Sequence, residues 1–375
     1  MKLFLVAGEP SGDRLGAALI DGLRQVVPGV VFRGVGGDAM ARSGLTSIFP
    51  MERLSIMGIA EIVPRLPKLF RLRDRTAAAA VDWNADALVT IDSPDFGLRL
   101  AGKVRSAAPR MPTIHYVAPS VWAWRAGRAA RMARVIDHVL ALLPFEPPYM
   151  EAAGMSCDFV GHPVVAAPRA GVREVAAFKA AYGGRIALIL PGSRRGEIAR
   201  MSPVFGAALR RLPRDVRVVV PTLSHLTEQV TEATRCWPVR PVIVSHEADR
   251  MAAFAAADAA LAASGTVSLD LAANDVPMVV AYDMAWLSRI VVTQLLRVDT
   301  VTLVNLVTGV RAVPEFLGDA CRAEPVGDAF ADLLNSVEAR ERQRAVLRDA
   351  MARLGAGGPS PGLRAARSVV AKLAG

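Results

Sequence analysis

The chain has 375 residues, 52% hydrophobic and 21% charged, with a net charge of +10 and three cysteines. That length exceeds what one core normally supports and the apolar content excludes long disorder, so two globular domains are expected. The scattered Cys157, Cys236 and Cys321 exclude a disulfide framework or zinc site and point to a reducing compartment. No apolar run approaches the about 18 residues of a membrane-spanning helix. The positive charge calls for an anionic partner: nucleic acid, a phosphorylated substrate or a membrane surface. Nucleic acid is disfavoured, because aromatics are only 6% of the chain.

In chain order, residues 3–6 read as a buried strand, followed by glycines at 8, 12 and 16 and a helix from Leu15. A strand-to-helix turn of this kind can cradle phosphate. Glu9 and Asp13 would repel an anion there, and the spacing matches neither the dinucleotide nor the nucleoside-triphosphate fingerprint. The turn, with Ser11, is therefore expected to line a site without holding the phosphate. The next glycine turn, "GVGGDA" (34–39), contains Asp38 and is followed by no ribose-binding carboxylate, which disfavours nicotinamide or flavin. Residues 51–73 set Met57, Ile59, Leu66, Leu69 and Phe70 among cations, as a membrane-surface element or as a packed helix with a basic edge.

"DALVTIDSPDFG" places Asp92 and Asp95 at a strand's C-terminal end, where open α/β sheets keep their chemistry, although turn carboxylates also cap helices. Asp92 directly follows the apolar run Ala87–Ile91, whereas Asp95 lies beyond Pro94 and is placed to cap the next helix. "IHYVAPSVWAWR" sets His115, Tyr116 and two tryptophans in a core or interface setting. Arg125, Arg128, Arg131 and Arg134 then follow three apart with no acid between them. His162, in "VGHP", reads as a satisfied linker histidine rather than a catalyst.

A Pro/Gly-rich stretch at 160–172 reads as a linker, after which strand, glycine turn and helix recur. The expected fold class is α/β: two Rossmann-like domains with parallel sheets facing a cleft. The expected boundaries are 1–165, 166–345 and a returning helical tail at 346–375. In "LILPGSRRGEI", Gly192, Ser193 and Arg194 (with Arg195 next) combine backbone N–H groups, a hydroxyl and guanidinium groups suited to a diphosphate. "ASGTVSLD" offers Ser264, Gly265 and Thr266 to phosphate and Asp270 to a ribose hydroxyl, or is an ordinary helix cap. No metal-ligand spacing appears, so neither metal nor cofactor is expected.

"AGEPSGD", "GVGG", "IDSPDF", "HYVAPSVWAWR", "LPFE", "FVGHP", "LPGSRRGEI", "ASGT" and "NLVTG", in this order, resemble the lipid A disaccharide synthases over nearly the whole chain. The resemblance implies a GT-B glycosyltransferase fold. It implies inverting, metal-independent transfer from UDP-2,3-diacylglucosamine to 2,3-diacylglucosamine 1-phosphate, giving a β-1,6 disaccharide and UDP. It further implies work at the anionic cytoplasmic face of the inner membrane of Gram-negative bacteria; the oligomeric state stays open. By the same resemblance Asp92 matches the general base, Arg194 a diphosphate contact, Asn305 a donor-site residue, and Ser264 to Thr266 the UDP loop. Glu9, Ser11, Asp13 and Asp95 then fall on the acceptor side. The chain departs from the pattern at Gly97, Asp270, Asp283, Val304 and Gly318. A UDP-sugar epimerase or a non-catalytic nucleotide-sugar-binding protein would share the fold.

Overall fold

The structure, a computed structural model, describes residues 1–54, 66–122, 127–263, 267–283 and 300–375. It divides into two compact units, Met1–Ala166 with Leu354–Gly375, and Ala167–Arg353. The tail expected at 346–375 is thus divided. Its first residues complete the helix Val337–Arg353 of the second unit, and the chain rejoins the first unit from Leu354.

The first unit is built on seven strands: β1 (Lys2–Ala7), β2 (Val31–Val35), β3 (Thr46–Ser47), β4 (Ala87–Ile91), β5 (Thr113–Tyr116), β6 (His138–Ala141) and β7 (Ser156–Phe159). Their order is β3-β2-β1-β4-β5-β6-β7, and every pair is parallel. Strands covered by helices on both faces must be apolar on both faces, which is why β1 and β4 read as continuous apolar runs. Residues 3–7 and 87–91 are all buried. The strand order reverses between β1 and β4, and Ala7 pairs with Ile91 at their C-terminal ends. That crevice is where doubly wound sheets place ligands.

The second unit repeats the plan with β8 (Arg185–Leu190), β9 (Val216–Pro221), β10 (Val242–Val244), β11 (Ala259–Ala262), β12 (Met278–Tyr282) and β13 (Glu315–Leu317). The order is β10-β9-β8-β11-β12-β13, again all parallel, with the reversal between β8 and β11. Leu190 pairs with Ala262, so the loops leaving these two strands start side by side. The short edge strands β3, β7 and β13 carry no apolar run, and their pattern alone does not announce them.

The C-terminal helix Pro361–Ala374 packs on the helix Pro10–Val26 through facing glycines. A Cβ on Gly22 would lie 2.5 Å from the carbonyl oxygen of Gly362, and one on Gly362 would lie 2.3 Å from that of Ala18. The contact is therefore backbone against backbone. His138 on β6 adds a polar tie, sharing hydrogen bonds with Ser156 (2.8 Å) and with Ser368 of the C-terminal helix (2.7 Å). Ser368 in turn donates to Asp158 Oδ2 at 2.6 Å. Helix propensity alone would make Gly22→Ala stabilising by about 1 kcal/mol. The close approach reverses the sign, and a net loss of about 2 kcal/mol is expected, read as a lower urea midpoint.

In the first unit His115 and Glu146 are buried and His162 is half-buried. Burial lowers both His115 and His162 to about 4, with the nearby charge of Asp92 opposing the shift at His115. Glu146 is 3% exposed and accepts from the backbone N–H groups of Leu142 (3.1 Å) and Leu143 (2.9 Å) and from the Trp122 indole (3.4 Å). Burial outweighs these donors and pushes its carboxyl up to about 7. As pH falls from 6.5 towards 4 the unfolded histidines take up protons and the folded ones do not, costing about 3 kcal/mol each. Glu146 works the other way, because between 4.5 and 7 the folded state holds the extra proton. Urea unfolding from pH 7 to 4 should show a net loss of stability. Glu146→Gln should steepen that loss by about 3 kcal/mol; an unchanged slope would mean that Glu146 is ionised in the folded protein.

Candidate functional site

In the first unit the site residues gather at the β1/β4 crevice. Asp92, immediately after β4, has φ of 54° and Ser93 has φ of 42°. Two successive non-glycine residues in the left-handed region cost about 1 kcal/mol each or more, and such strain persists where the surroundings over-determine it. Here Asp92 N–H donates to the Tyr116 carbonyl (2.9 Å), continuing the β4–β5 ladder, and the Ser93 carbonyl accepts from Phe96 and Gly97 as the helix Pro94–Ala107 begins. The half-buried Asp92 carboxylate accepts from Ser11 Oγ (2.8 Å) and from Ser93 N–H (2.9 Å). Ser11 lies in the first turn of the helix Pro10–Val26, and a Cβ on Gly12 would stand 3.1 Å from the Ile91 carbonyl. The glycine at 12 lets that helix come close enough for Ser11 to reach Asp92.

Behind Asp92 lies His115, fully buried, its Nδ1 sharing a hydrogen bond with Thr90 Oγ1 at 2.7 Å. Among the described residues its Nε2 has no hydrogen-bond partner. Gly97 faces the same spot: a Cβ there would meet Thr90 Cβ at 3.1 Å and His115 Cε1 at 3.6 Å. The departure to glycine at 97 thus lets the helix Pro94–Ala107 lie close over β4 and β5.

The other acceptor-side expectations separate. Glu9 is exposed at the N-cap of the helix Pro10–Val26 and makes no side-chain capping bond. Asp95 is exposed one turn beyond Asp92, with Arg128 3.7 Å away. Asp13 is corrected. It is 7% exposed, and its carboxylate accepts from the backbone N–H groups of Gly37 (2.8 Å), Ala39 (2.9 Å) and Met40 (3.0 Å). It ties the "GVGG" turn to the first helix and has no room for a sugar hydroxyl; a Cβ on Gly37 would lie 2.7 Å from Asp13 Oδ2. Of the expected membrane-contact residues, Leu66 and Leu69 are half-buried and Phe70 is 37% exposed on the helix Leu66–Asp82, while Met57 and Ile59 lie outside the described residues.

In the second unit a cavity of about 480 Å³ opens over the C-terminal ends of β8, β9 and β11. Gly192, Ser193, Arg194 and Asp270 line it. Arg250 and Phe254 also line it, a pair that no motif announced. They stand four apart on the helix Glu247–Ala256, so they share one helical face, a spacing visible in the sequence only once that face is known to turn inward. Ser264, Gly265 and Thr266 lie outside the described residues.

Two details change the expected chemistry of this half. Glu197 Oε2 accepts from the N–H groups of both Ser193 (3.1 Å) and Arg194 (3.3 Å), so these donors of the glycine turn are already engaged. Gly192, at φ of 124°, is required by this fold-back, since a Cβ would sit 2.5 Å from Glu197 Cβ. Asn305 is also corrected as a ligand contact. It is 2% exposed, its Nδ2 donates to the Val313 carbonyl (3.0 Å) and to Thr300 Oγ1 (3.4 Å), and its Oδ1 accepts from Val313 N–H (3.0 Å). Its amide pins the loop between residues 300 and 313. Among the departures, Gly318 takes φ of 58°, a conformation that favours glycine, and Val304 is fully buried.

A sequence profile for the family described as "Lipid-A-disaccharide synthetase" matches residues 3–357. The chain is 54% identical to a lipid-A-disaccharide synthase of Ruegeria pomeroyi, covering 100% of this chain and 96% of that protein. It is 46% identical to one of Rhodospirillum centenum, covering 99% and 94%. Among solved structures, the UDP-GlcNAc 2-epimerase of Neisseria meningitidis aligns with a TM-score of 0.63 at 12% identity, covering 100% of both chains. MurG of Acinetobacter baumannii aligns with a TM-score of 0.57 at 13% identity, covering 100% of this chain and 99% of that one. At such identities these likenesses speak for the GT-B fold alone, whereas the sequence relatives speak for the family. A glycosyltransferase-class enzyme of two Rossmann-like units, the chain belongs to the lipid-A-disaccharide synthetase family.

Proposed function

We propose that the chain carries out lipid A disaccharide synthesis by direct displacement, with Asp92 as the general base. The primary hydroxyl of 2,3-diacylglucosamine 1-phosphate attacks the anomeric carbon of UDP-2,3-diacylglucosamine. The hydroxyl proton passes to the Asp92 carboxylate, the bond from the anomeric carbon to the diphosphate oxygen breaks, and its electron pair leaves with UDP. Attack opposite the leaving group inverts the anomeric centre and gives the β-1,6 linkage. A base must be held in hydrogen-bond reach of the proton it takes and must not wander. The observation that carries the assignment is the strained Asp92–Ser93 turn, which holds a half-buried carboxylate by two donors at the crevice of the first sheet. Asp95, almost fully exposed, has no such support. The second unit holds UDP, supported by a cavity lined by cations and carboxylates and by Leu223, Leu226 and Phe254 as apolar wall for a base.

Asp92→Asn keeps shape but takes no proton. Turnover should fall by about 10² to 10⁴ with UDP affinity unchanged, measured by mass identification of disaccharide and by titration with UDP. Retention of most activity would remove Asp92 as the base and leave Glu9 and Asp95 to be tried. Disaccharide with stoichiometric UDP also separates transfer from epimerisation, which joins no sugars.

Acylated substrates are met at a membrane surface, in this reading the cytoplasmic face of the inner membrane, and the start of the helix Leu66–Asp82 is suited to it. Phe70 lies with Arg73 and Arg99 at 5.0 and 5.9 Å from its ring, and Lys68 and Arg71 are exposed beside it. Among the described residues no helix is long and apolar enough to cross a membrane. Apolar side chains in the headgroup layer and cations over anionic lipid together make a reversible anchor. Leu69→Glu with Phe70→Glu should weaken sedimentation with anionic vesicles by about tenfold or more while the urea midpoint holds. Unchanged binding would place the contact elsewhere.

A further inference from the structure

The glycine turn after β8 looks like the diphosphate holder, yet two of its backbone donors are already engaged. Glu197 takes the Ser193 and Arg194 N–H groups, and its other oxygen lies 3.4 Å from Arg194 Nη1. The Arg194 side chain is 83% exposed, where an ion pair or a ligand contact is weakened by water and salt. Arg250 is placed differently. It is half-buried in the wall of the same cavity, and among the described residues its guanidinium makes no ion pair or hydrogen bond. A partly desolvated cation without a partner is costly unless an anion completes it, and arginine presents a fork matched to phosphate oxygens.

Resting on the assignment of UDP to the second unit, we propose that Arg250, rather than Arg194, is the principal cation holding the diphosphate. Phe254, one turn further along the same helix face, lines the cavity together with Leu223 and Leu226. The helix Glu247–Ala256 would then read both ends of the nucleotide. Arg250 meets negative charge, Phe254 meets the flat base, and Arg194 remains at the rim to meet the charge that grows on UDP as the sugar departs.

The test is titration of the full-length protein with UDP and with uridine, for the wild type, Arg250→Ala, Arg250→Lys and Arg194→Ala. Arg250→Ala should weaken UDP on the order of 10- to 100-fold, the loss expected for a charge-assisted contact, and change uridine by less than about threefold. Arg250→Lys, which keeps the charge without the fork, should recover part of that loss, and Arg194→Ala should cost less than Arg250→Ala. The UDP-to-uridine ratio is the deciding readout, because a merely structural role would weaken both ligands together. An unchanged ratio in Arg250→Ala, or a larger loss in Arg194→Ala, overturns the proposal. A wild type that binds no UDP overturns both the proposal and the placement of the nucleotide on which it rests.

Discussion

Carboxylates closing on backbone N–H groups hold the loop ends of both sheets, and the sites depend on them. Asp13 gathers the N–H groups of Gly37, Ala39 and Met40 at and just after the "GVGG" turn, Glu146 takes two beyond β6, and Glu197 takes two after β8. Glu315 at the start of β13 accepts from the N–H groups of Val301 and Thr302. A parallel sheet ends in loops whose backbone donors have no ladder partner, and each buried donor left alone would cost about 1–3 kcal/mol. A carboxylate with several lone pairs satisfies two or three at once and fixes the loop's path. The same clamps then bring Ser11 to Asp92 and fold Glu197 under Gly192.

This economy changes what a carboxylate in a glycine-rich turn means. Asp13 and Asp92 both border the first helix, and both belong to motifs that suggest chemistry. Asp13 spends its lone pairs on three backbone donors inside the core. Asp92 accepts from one side-chain hydroxyl and its neighbour's N–H, stays half-exposed, and sits in a conformation that no local preference would choose. A carboxylate with lone pairs to spare and strain in its backbone can exchange a proton with a substrate, whereas a saturated one cannot. Asn305 repeats the lesson in the second unit, its amide consumed by the loop that carries it.

The strands flanked on both sides by helices were legible because burial on two faces forces continuous apolar runs, as in "LFLVA", "ALVTI" and "IALIL". The edge strands β3 and β7 were not. β3 is two residues long, and β7 is "SCDF", half exposed, so neither carries enough apolar pattern to stand out from a loop. The tail was read as one returning element, but its hydrophobic spacing could not tell which residues pack on which unit. The facing glycines at 22 and 362 that permit the return are 340 positions apart in the chain, and glycine carries no periodic signal.

By itself the sequence determined the class of fold, the two-unit plan and the family, because these follow from apolar periodicity, turn chemistry and ordered motifs written locally along the chain. It also located Asp92, whose place at the end of a buried run is a local fact. Only the tertiary structure decided which polar groups remain available. Whether Asp13, Glu197 and Asn305 face a ligand or the backbone depends on partners brought together by folding, and no residue type declares its partners in advance. The inward turn of Arg250 and Phe254 was decided in the same way, by how their helix packs against the sheet beneath it.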